Sequence, residues 1–186
     1  MAVISAAPTS GNAPLPVTFN GSGSFDQDGT VTSYAWNFGD GTSATRHAPA
    51  LVAKMSADVT AVVASAEHTC AIKSGALYCW GNNEGGQLGT SAHVGIDVPN
   101  AQPHRVLGSG VTAVAAGRAH TCAIQNGALK CWGDNASGQL GVSPDALADT
   151  DTPQTVFAAD TTAVVAGDGH TCAIHQGALT CWGKNT

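Results

Sequence analysis

The stretch His68 to Gly81, HTCAIKSGALYCWG, decides the fold, because it returns as His120 to Gly133, HTCAIQNGALKCWG, and as His170 to Gly183, HTCAIHQGALTCWG. Copies this alike at a spacing of about fifty residues are structural repeats, a period used by propeller blades and other stacked units. Within each copy two β-prone runs flank a two-residue centre ending in glycine: Ser74-Gly75, Asn126-Gly127 and Gln176-Gly177. A β-hairpin is expected, with glycine supplying the positive φ of a tight primed turn. Folding about that centre sets Lys73 opposite Ala76, Ile72 opposite Leu77, Ala71 opposite Tyr78 and Cys70 opposite Cys79.

Counting outward from the turn, Cys70 and Cys79 fall at a non-hydrogen-bonded pair. Cα atoms there lie roughly 4.5 Å apart, at the lower end of what a disulfide spans. The same count joins Cys122 to Cys131 and Cys172 to Cys181, which uses all six cysteines. Each closed loop of about ten residues is worth about 2 to 3 kcal/mol on the chain-entropy account. A metal reading competes, since His68, His120 and His170 each precede a cysteine by two residues. Structural zinc favours cysteines two to four residues apart, however, and these pairs sit further apart inside a hairpin. The plainer role for the histidines is to hold the blade together by side-chain hydrogen bonds to backbone.

Composition narrows the function classes. Only 11% of the 186 residues are charged, the net charge is -6 and there are 23 glycines, which suits a turn-rich all-β chain. Seven lysines and arginines are scattered without a basic patch, which argues against nucleic acid and anionic membrane as partners. No run approaches the roughly 20 apolar residues of a spanning helix, so no membrane insertion is expected. Paired cysteines point to an oxidising compartment: secreted, periplasmic or cell-surface. The opening MAVISAAPTS lacks the basic and apolar regions of a signal peptide, which reads as a piece of a longer exported chain. Asn20-Gly-Ser and Asn135-Ala-Ser are formal glycosylation triplets of the kind that arise by chance.

Residues 1 to 45 have a different grammar, with turn clusters separating short β-prone runs at Val3 to Ala6, Val17 to Phe19 and Val31 to Phe38. In the last run Thr32, Tyr34, Trp36 and Phe38 share one face, the expected core side. The stretch PTSGNAPLPVTFNGSGSFDQDGTVTSYAWNFGDGT resembles the first half of a polycystic kidney disease type (PKD) domain. That resemblance implies an immunoglobulin-like sandwich used as a spacer or binding module, some members of which bind calcium. Asp26, Asp28 and Asp40 are candidate calcium ligands, although the full twelve-residue loop pattern is absent and aspartates also make turns. The further strands of that family do not follow; residues 46 to 58 read as a linker. The sandwich is therefore expected to be incomplete and less well ordered than the repeats.

From Val59 each copy offers a Val/Ala-rich strand, a small-residue turn and the cysteine hairpin, followed in the first two by a Gly-Gln-Leu-Gly turn. With its recurring His-Thr, Trp-Gly and Gly-Gln-Leu-Gly elements, 59 to 186 resembles the regulator of chromosome condensation repeats, which form seven-bladed β-propellers. The cysteine pair matches a variant in bacterial exported members. The implied architecture is all-β: a partial β-propeller of about two and a half blades (59–110, 111–160 and an incomplete 161–186) after an incomplete N-terminal sandwich. Pro103 to Val106 and Pro153 to Val156 read as the strand leading into each next repeat. The rest of the inter-repeat segments should form rim loops, where propellers bind.

Asp97, His104, Arg105, Asp145, Asp149 and Asp151 are the candidate rim residues, against the plain reading of a solvated loop face. Two full repeats and a half leave strand edges open, which implies a truncated chain or assembly through those edges. No Gly-x-Ser-x-Gly elbow, HExxH helix, phosphate-cradling loop or spare cysteine is present. The expectation is a non-catalytic exported module without a cofactor that binds a protein or glycan. Self-association through open edges, or attachment to an exported enzyme, are the rival readings.

Overall fold

The computed structural model describes residues 5–7, 18–20, 51–91 and 100–185, and among them there is no helix. β1 (Ser5–Ala7) and β2 (Thr18–Asn20) pair antiparallel, Ser5 facing Asn20. The remaining expectations for the N-terminal segment, including the run Val31 to Phe38 and the aspartates Asp26, Asp28 and Asp40, lie outside the described residues.

Three sheets follow. The first blade is β3 (Val59–Ala64), β4 (His68–Lys73), β5 (Ala76–Gly81) and β6 (Asn100–Leu107), hydrogen-bonded in that order. The second repeats it as β7 (Val111–Ala116), β8 (His120–Gln125), β9 (Ala128–Gly133) and β10 (Thr150–Phe157). The third has β11 (Thr161–Ala166), β12 (His170–His175) and β13 (Ala178–Gly183). All pairings are antiparallel, and the array is the partial propeller that the repeat period implied. The strands β6 and β10, which lead into the next repeat, close the blade before it. Each pairs back onto its own hairpin, Cys79 facing His104 and Cys131 facing Gln154, and so forms the outer edge of its blade.

The hairpins are in the register counted from the turn, with Cys70 opposite Cys79, Ile72 opposite Leu77 and Lys73 opposite Ala76. Both turn residues have positive φ (Ser74 48°, Gly75 72°), the primed turn whose twist matches the strands it joins. Disulfides join Cys70 to Cys79, Cys122 to Cys131 and Cys172 to Cys181, each with a Cα separation of 4.1 Å.

Strand alternation explains why the signature has the residues it has. On each hairpin the histidine, both cysteines, the isoleucine and the leucine share one face, while the threonine, the middle alanine and the tryptophan share the other. Stacking puts the first face of one blade on the second face of the next. Cys70, Ile72, Leu77 and Cys79 pack with Val111, Val114, Ala123 and Trp132 in one core. Cys122, Ile124, Leu129 and Cys131 pack with Val164 and Ala173 in the other, with Trp182 against it. The inner strands converge, and Val63, Ala64, Val114, Ala115, Ala116, Val164, Val165 and Ala166 line a shared open hollow. The first two disulfides are fully buried beneath the following blade.

The Trp-Gly glycine is demanded twice over. At Gly133 φ is +107°, and a Cβ would lie 2.4 Å from the Ala119 carbonyl oxygen and 2.7 Å from His120 Cα. At the hairpin glycine Gly177 φ is +78° and a Cβ would meet nothing within 4 Å. Gly133→Ala should therefore cost well over about 2 kcal/mol, strain plus backbone clash, whereas Gly177→Ala should cost only about 1 kcal/mol of strain. Thermal unfolding of the two variants checks the order.

Candidate functional site at the blade junctions and the loop end

The polar residues of the signature meet between blades. His68 is buried at the start of β4, and its Nε2 lies 2.7 Å from the Thr121 hydroxyl of the next blade. Thr121 Oγ1 donates to the Gln87 carbonyl at 2.8 Å, and Trp132 Nε1 donates to the same oxygen at 3.0 Å. A hydroxyl whose one proton goes to Gln87 must accept from the imidazole, so His68 is the neutral Nε2-H tautomer. The second junction repeats the chain: His120 Nε2 to Thr171 Oγ1 at 2.9 Å, and Thr171 Oγ1 and Trp182 Nε1 both to the Gln139 carbonyl at 2.9 Å. The sequence reading gave these histidines backbone partners within their own blade. Their ring Nε2 atoms instead reach a side chain some fifty residues away, which no local pattern announces.

Burial makes the imidazolium form costly. It pushes His68 down to about 3, with the charge of His120 adding to it, and His120 down to about 4. The unfolded chain, with histidine near 6.5, binds more protons in that range, so stability rises with pH there. The contribution is complete above about pH 6.5 and is lost as pH falls towards 4 and 3. The two rings are not held equally. His68 Nδ1 has the Ser65 hydroxyl at 3.0 Å, but the matching position in the second blade is Gly117 and His120 Nδ1 is buried without a partner.

The Gly-Gln-Leu-Gly loop is pinned by its own amides. Asn83 Oδ1 accepts from Leu88 N at 2.8 Å, and Asn135 Oδ1 from Leu140 N at 3.0 Å. Gln87 and Gln139 Oε1 accept from Gly85 N and Ser137 N. Gln139 Nε2 donates to Asp134 Oδ2 at 2.8 Å, whereas Asn82 stands at the matching position of the first loop and Gln87 Nε2 is unpartnered. Asn135, the formal glycosylation acceptor, is fully buried and its Nδ2 donates to the Leu147 carbonyl at 2.6 Å, which removes it as an acceptor in the folded chain. The closing glycines face the next blade's tryptophan: a Cβ on Gly89 would meet Val106 Cγ1 at 2.4 Å and Trp132 Nε1 at 3.1 Å.

With the hairpin signature committed to the junctions, the exposed polar side chains are mostly variable ones, apart from the recurring Thr60, Thr112 and Thr162 of the inner strands. Because strands alternate in direction, the β3–β4, β7–β8 and β11–β12 turns share one end of the blades with the long loops after β5 and β9. Glu67, Glu84, Arg118, Asp134, Asp145, Asp149, Asp151, Asp168 and Lys184 all lie at or near that end, which is acidic on balance. Asp145 is exposed, Asp149 Oδ1 accepts from Asn135 N at 2.9 Å and Asp151 Oδ1 accepts from the Thr152 hydroxyl. Asp149 therefore braces the loop as well as facing water, whereas Asp151 lies in β10. His104 and Arg105, grouped with the rim from sequence, are exposed residues within the outer strand β6, and Asp97 lies outside the described residues. Arg118 Nε donates to Glu67 Oε1 at 3.0 Å across the blade junction, which raises the guanidinium pKa further. Among the described residues no three His, Cys, Asp or Glu side chains are placed to share a metal ion.

Thr121→Val keeps the shape and removes the hydroxyl, stranding His68 Nε2 and taking one of two donors from the Gln87 carbonyl. Such buried losses cost about 1 to 3 kcal/mol each. Thr121→Val should thus lower stability by about 2 kcal/mol or more in denaturant unfolding, with Thr121→Ser recovering most of it.

Known proteins match this description. The regulator of chromosome condensation (RCC1) repeat pattern matches residues 74–124 and 126–174, and a second pattern of that repeat matches 59–87 and 111–139. The PKD domain pattern matches residues 2–52. Among curated relatives, the human probable E3 ubiquitin-protein ligase HERC6 is 38% identical over 88 residues, covering 45% of this chain and 8% of its own length. The RCC2 homolog of Xenopus laevis is 41% identical over 69 residues, covering 37% of this chain and 13% of its own. The chain thus spans a small part of these relatives. Among solved structures, Prp20p of Saccharomyces cerevisiae has a TM-score of 0.60 at 23% identity, covering 68% of this chain and 33% of that one. Human WBSCR16 also has a TM-score of 0.60, at 20% identity, with 70% and 34% covered. Matched over more than half its length by the repeat pattern, this chain belongs to the regulator of chromosome condensation (RCC1) repeat family.

Proposed function

We propose that the repeat array is a non-catalytic module that binds a protein through the loop end of its blades, within an exported or cell-surface chain. One observation carries the reading. The recurring histidine, threonine and tryptophan of the hairpin, which is where shared chemistry would sit, hold blade to blade at both junctions. What differs between copies is the loop end, NNEGGQLGTSAHVGID against DNASGQLGVSPDALAD, where a rigid scaffold displays variable side chains. Prp20p of Saccharomyces cerevisiae, which shares the fold, binds Gsp1p and histones, and this supports protein over glycan as the ligand class. The acidic balance of the loop end favours a partner with a basic surface. Export is supported by the three disulfides, which persist outside the reducing cytosol.

Glu84, Asp145 and Asp168 are exposed. Their replacement, Glu84→Gln with Asp145→Asn and Asp168→Asn, leaves the braces at Asp134 and Asp149 in place. Affinity for a partner captured from the extracellular fraction should fall at least about tenfold at unchanged melting temperature, steeply so at low salt. Chain recovered from that fraction without reductant should carry no free thiol. Unchanged affinity contradicts the loop-end site; six free thiols contradict export.

A further inference from the structure

Lysine and arginine are scattered along the sequence, but folding gathers four of the seven at the end opposite the loops, where the hairpin turns lie. Lys73 is the last residue of β4 before its turn, and its Nζ donates to the Lys54 carbonyl at 2.6 Å. Arg105 faces Tyr78 across the β5–β6 ladder, and its Nη2 lies 3.4 Å from where a Cβ on Gly108 would stand. Next to Gly108, the Ser109 carbonyl accepts from Gln125 Nε2 at 2.9 Å, and Gln125 Oε1 accepts from Lys130 Nζ at 3.2 Å. Lys54, Lys73, Arg105 and Lys130 therefore form one continuous strip that crosses from the first blade to the second. None of the four is ion-paired among the described residues, whereas Arg118 with Glu67 is, at the loop end. The carboxylates of Asp58 and Asp160 also lie at the turn end, and the four cations outnumber them.

The strip is open by its position in the blade. Lys73, Tyr78 and Arg105 correspond to Gln125, Lys130 and Thr155 of the second blade, by the same count from the turn and the same outer-strand pairing. Those three have the first blade packed beside them and are still half-buried or exposed. Tyr78 is half-buried, with Arg105 about 5 Å away directly opposite and Lys73 about 7 Å away on the diagonal of the same face. An aromatic ring thus sits between two unpaired cations, with the exposed Ser74, Ser109 and Asn126 nearby at the turns.

We infer that this strip is a binding site for an extended carboxylated polysaccharide. Cations strung along a line match a chain whose charge repeats at intervals. The Tyr78 ring lies against a pyranose face, and Lys73, Arg105 and Lys130 take carboxylates on the rings to either side. Hydroxyls and amides at the turns bond the sugar hydroxyls. The strip runs across the strands, so an acidic peptide laid along it would gain no main-chain ladder, the usual source of affinity for an extended peptide on a sheet. The acidic loop end repels the same polymer and is a separate surface, so failure of either reading leaves the other standing.

The test titrates oligogalacturonate into the full chain and follows it by calorimetry and amide NMR. Binding should be saturable, shift the resonances of Lys73, Tyr78, Arg105 and Lys130, leave those of Glu84 and Asp145 in place, and weaken at least about tenfold as added salt screens the charges. Lys73→Gln, Tyr78→Thr and Arg105→Thr install what Gln125, Thr180 and Thr155 already are at the matching positions of later copies, which keeps the blade fold. Combined, they should weaken binding at least about tenfold at unchanged melting temperature. No binding, or binding that the combined variant leaves unchanged, overturns the proposal. Equal affinity for polyglutamate or single-stranded DNA also overturns it, by making charge alone the basis of binding, and so does equal affinity for a neutral galactan, by removing charge from it.

Discussion

A threonine hydroxyl buried between two blades has one proton to give and must also accept. Thr121 gives to the Gln87 carbonyl and accepts from His68, and Thr171 does the same between Gln139 and His120. The other recurring groups of the hairpin and its loop serve this arrangement. Tryptophan supplies a second donor to the same carbonyl, the loop asparagine fixes the loop that carries it, and the Trp-Gly glycine lets backbones close in. At Gly133 a Cβ would come within 3.2 Å of Gln87 Cα as well as striking its own blade. Unpaired, each buried group would be costly; paired in series, they fix how one blade sits on the next.

This division of labour separates the recurring frame of the repeat from the surface that differs between copies. The hairpin is closed by a disulfide and a primed turn, which set its register without help from neighbours. The apolar faces then bury the disulfide under the next blade, and the junction fixes the stacking. Only the loop end and the outer strands are left to vary. The shape of the loop end is set by the frame, and its exposed carboxylates include Glu84, Asp145 and Asp168.

Much of the frame was legible because it obeys local rules. The period, the hairpin register and the cysteine pairs follow from a two-residue alternation counted from a glycine. The junction was not legible in the same way, because the ring Nε2 atoms of His68 and His120 find their partners in another copy. One signal was available: within each copy, histidine and threonine occupy opposite faces, so a stack must bring the histidine of one copy to the threonine of the next. Pro103 to Val106 and Pro153 to Val156 read as strands from the sequence, but nothing local says which neighbour they pair with. Proline is tolerated there because it falls at a register slip on an edge strand. His104 and Arg105 read as rim residues from the sequence, whereas they lie within β6.

The most direct test of the junction is long-range nitrogen-proton NMR of the histidine rings through an acid titration. His68 and His120 should be neutral Nε2-H tautomers at pH 5, each coupled across a hydrogen bond to the threonine of the next blade. An imidazolium at pH 5, or an Nδ1-H tautomer, at either residue would contradict the account.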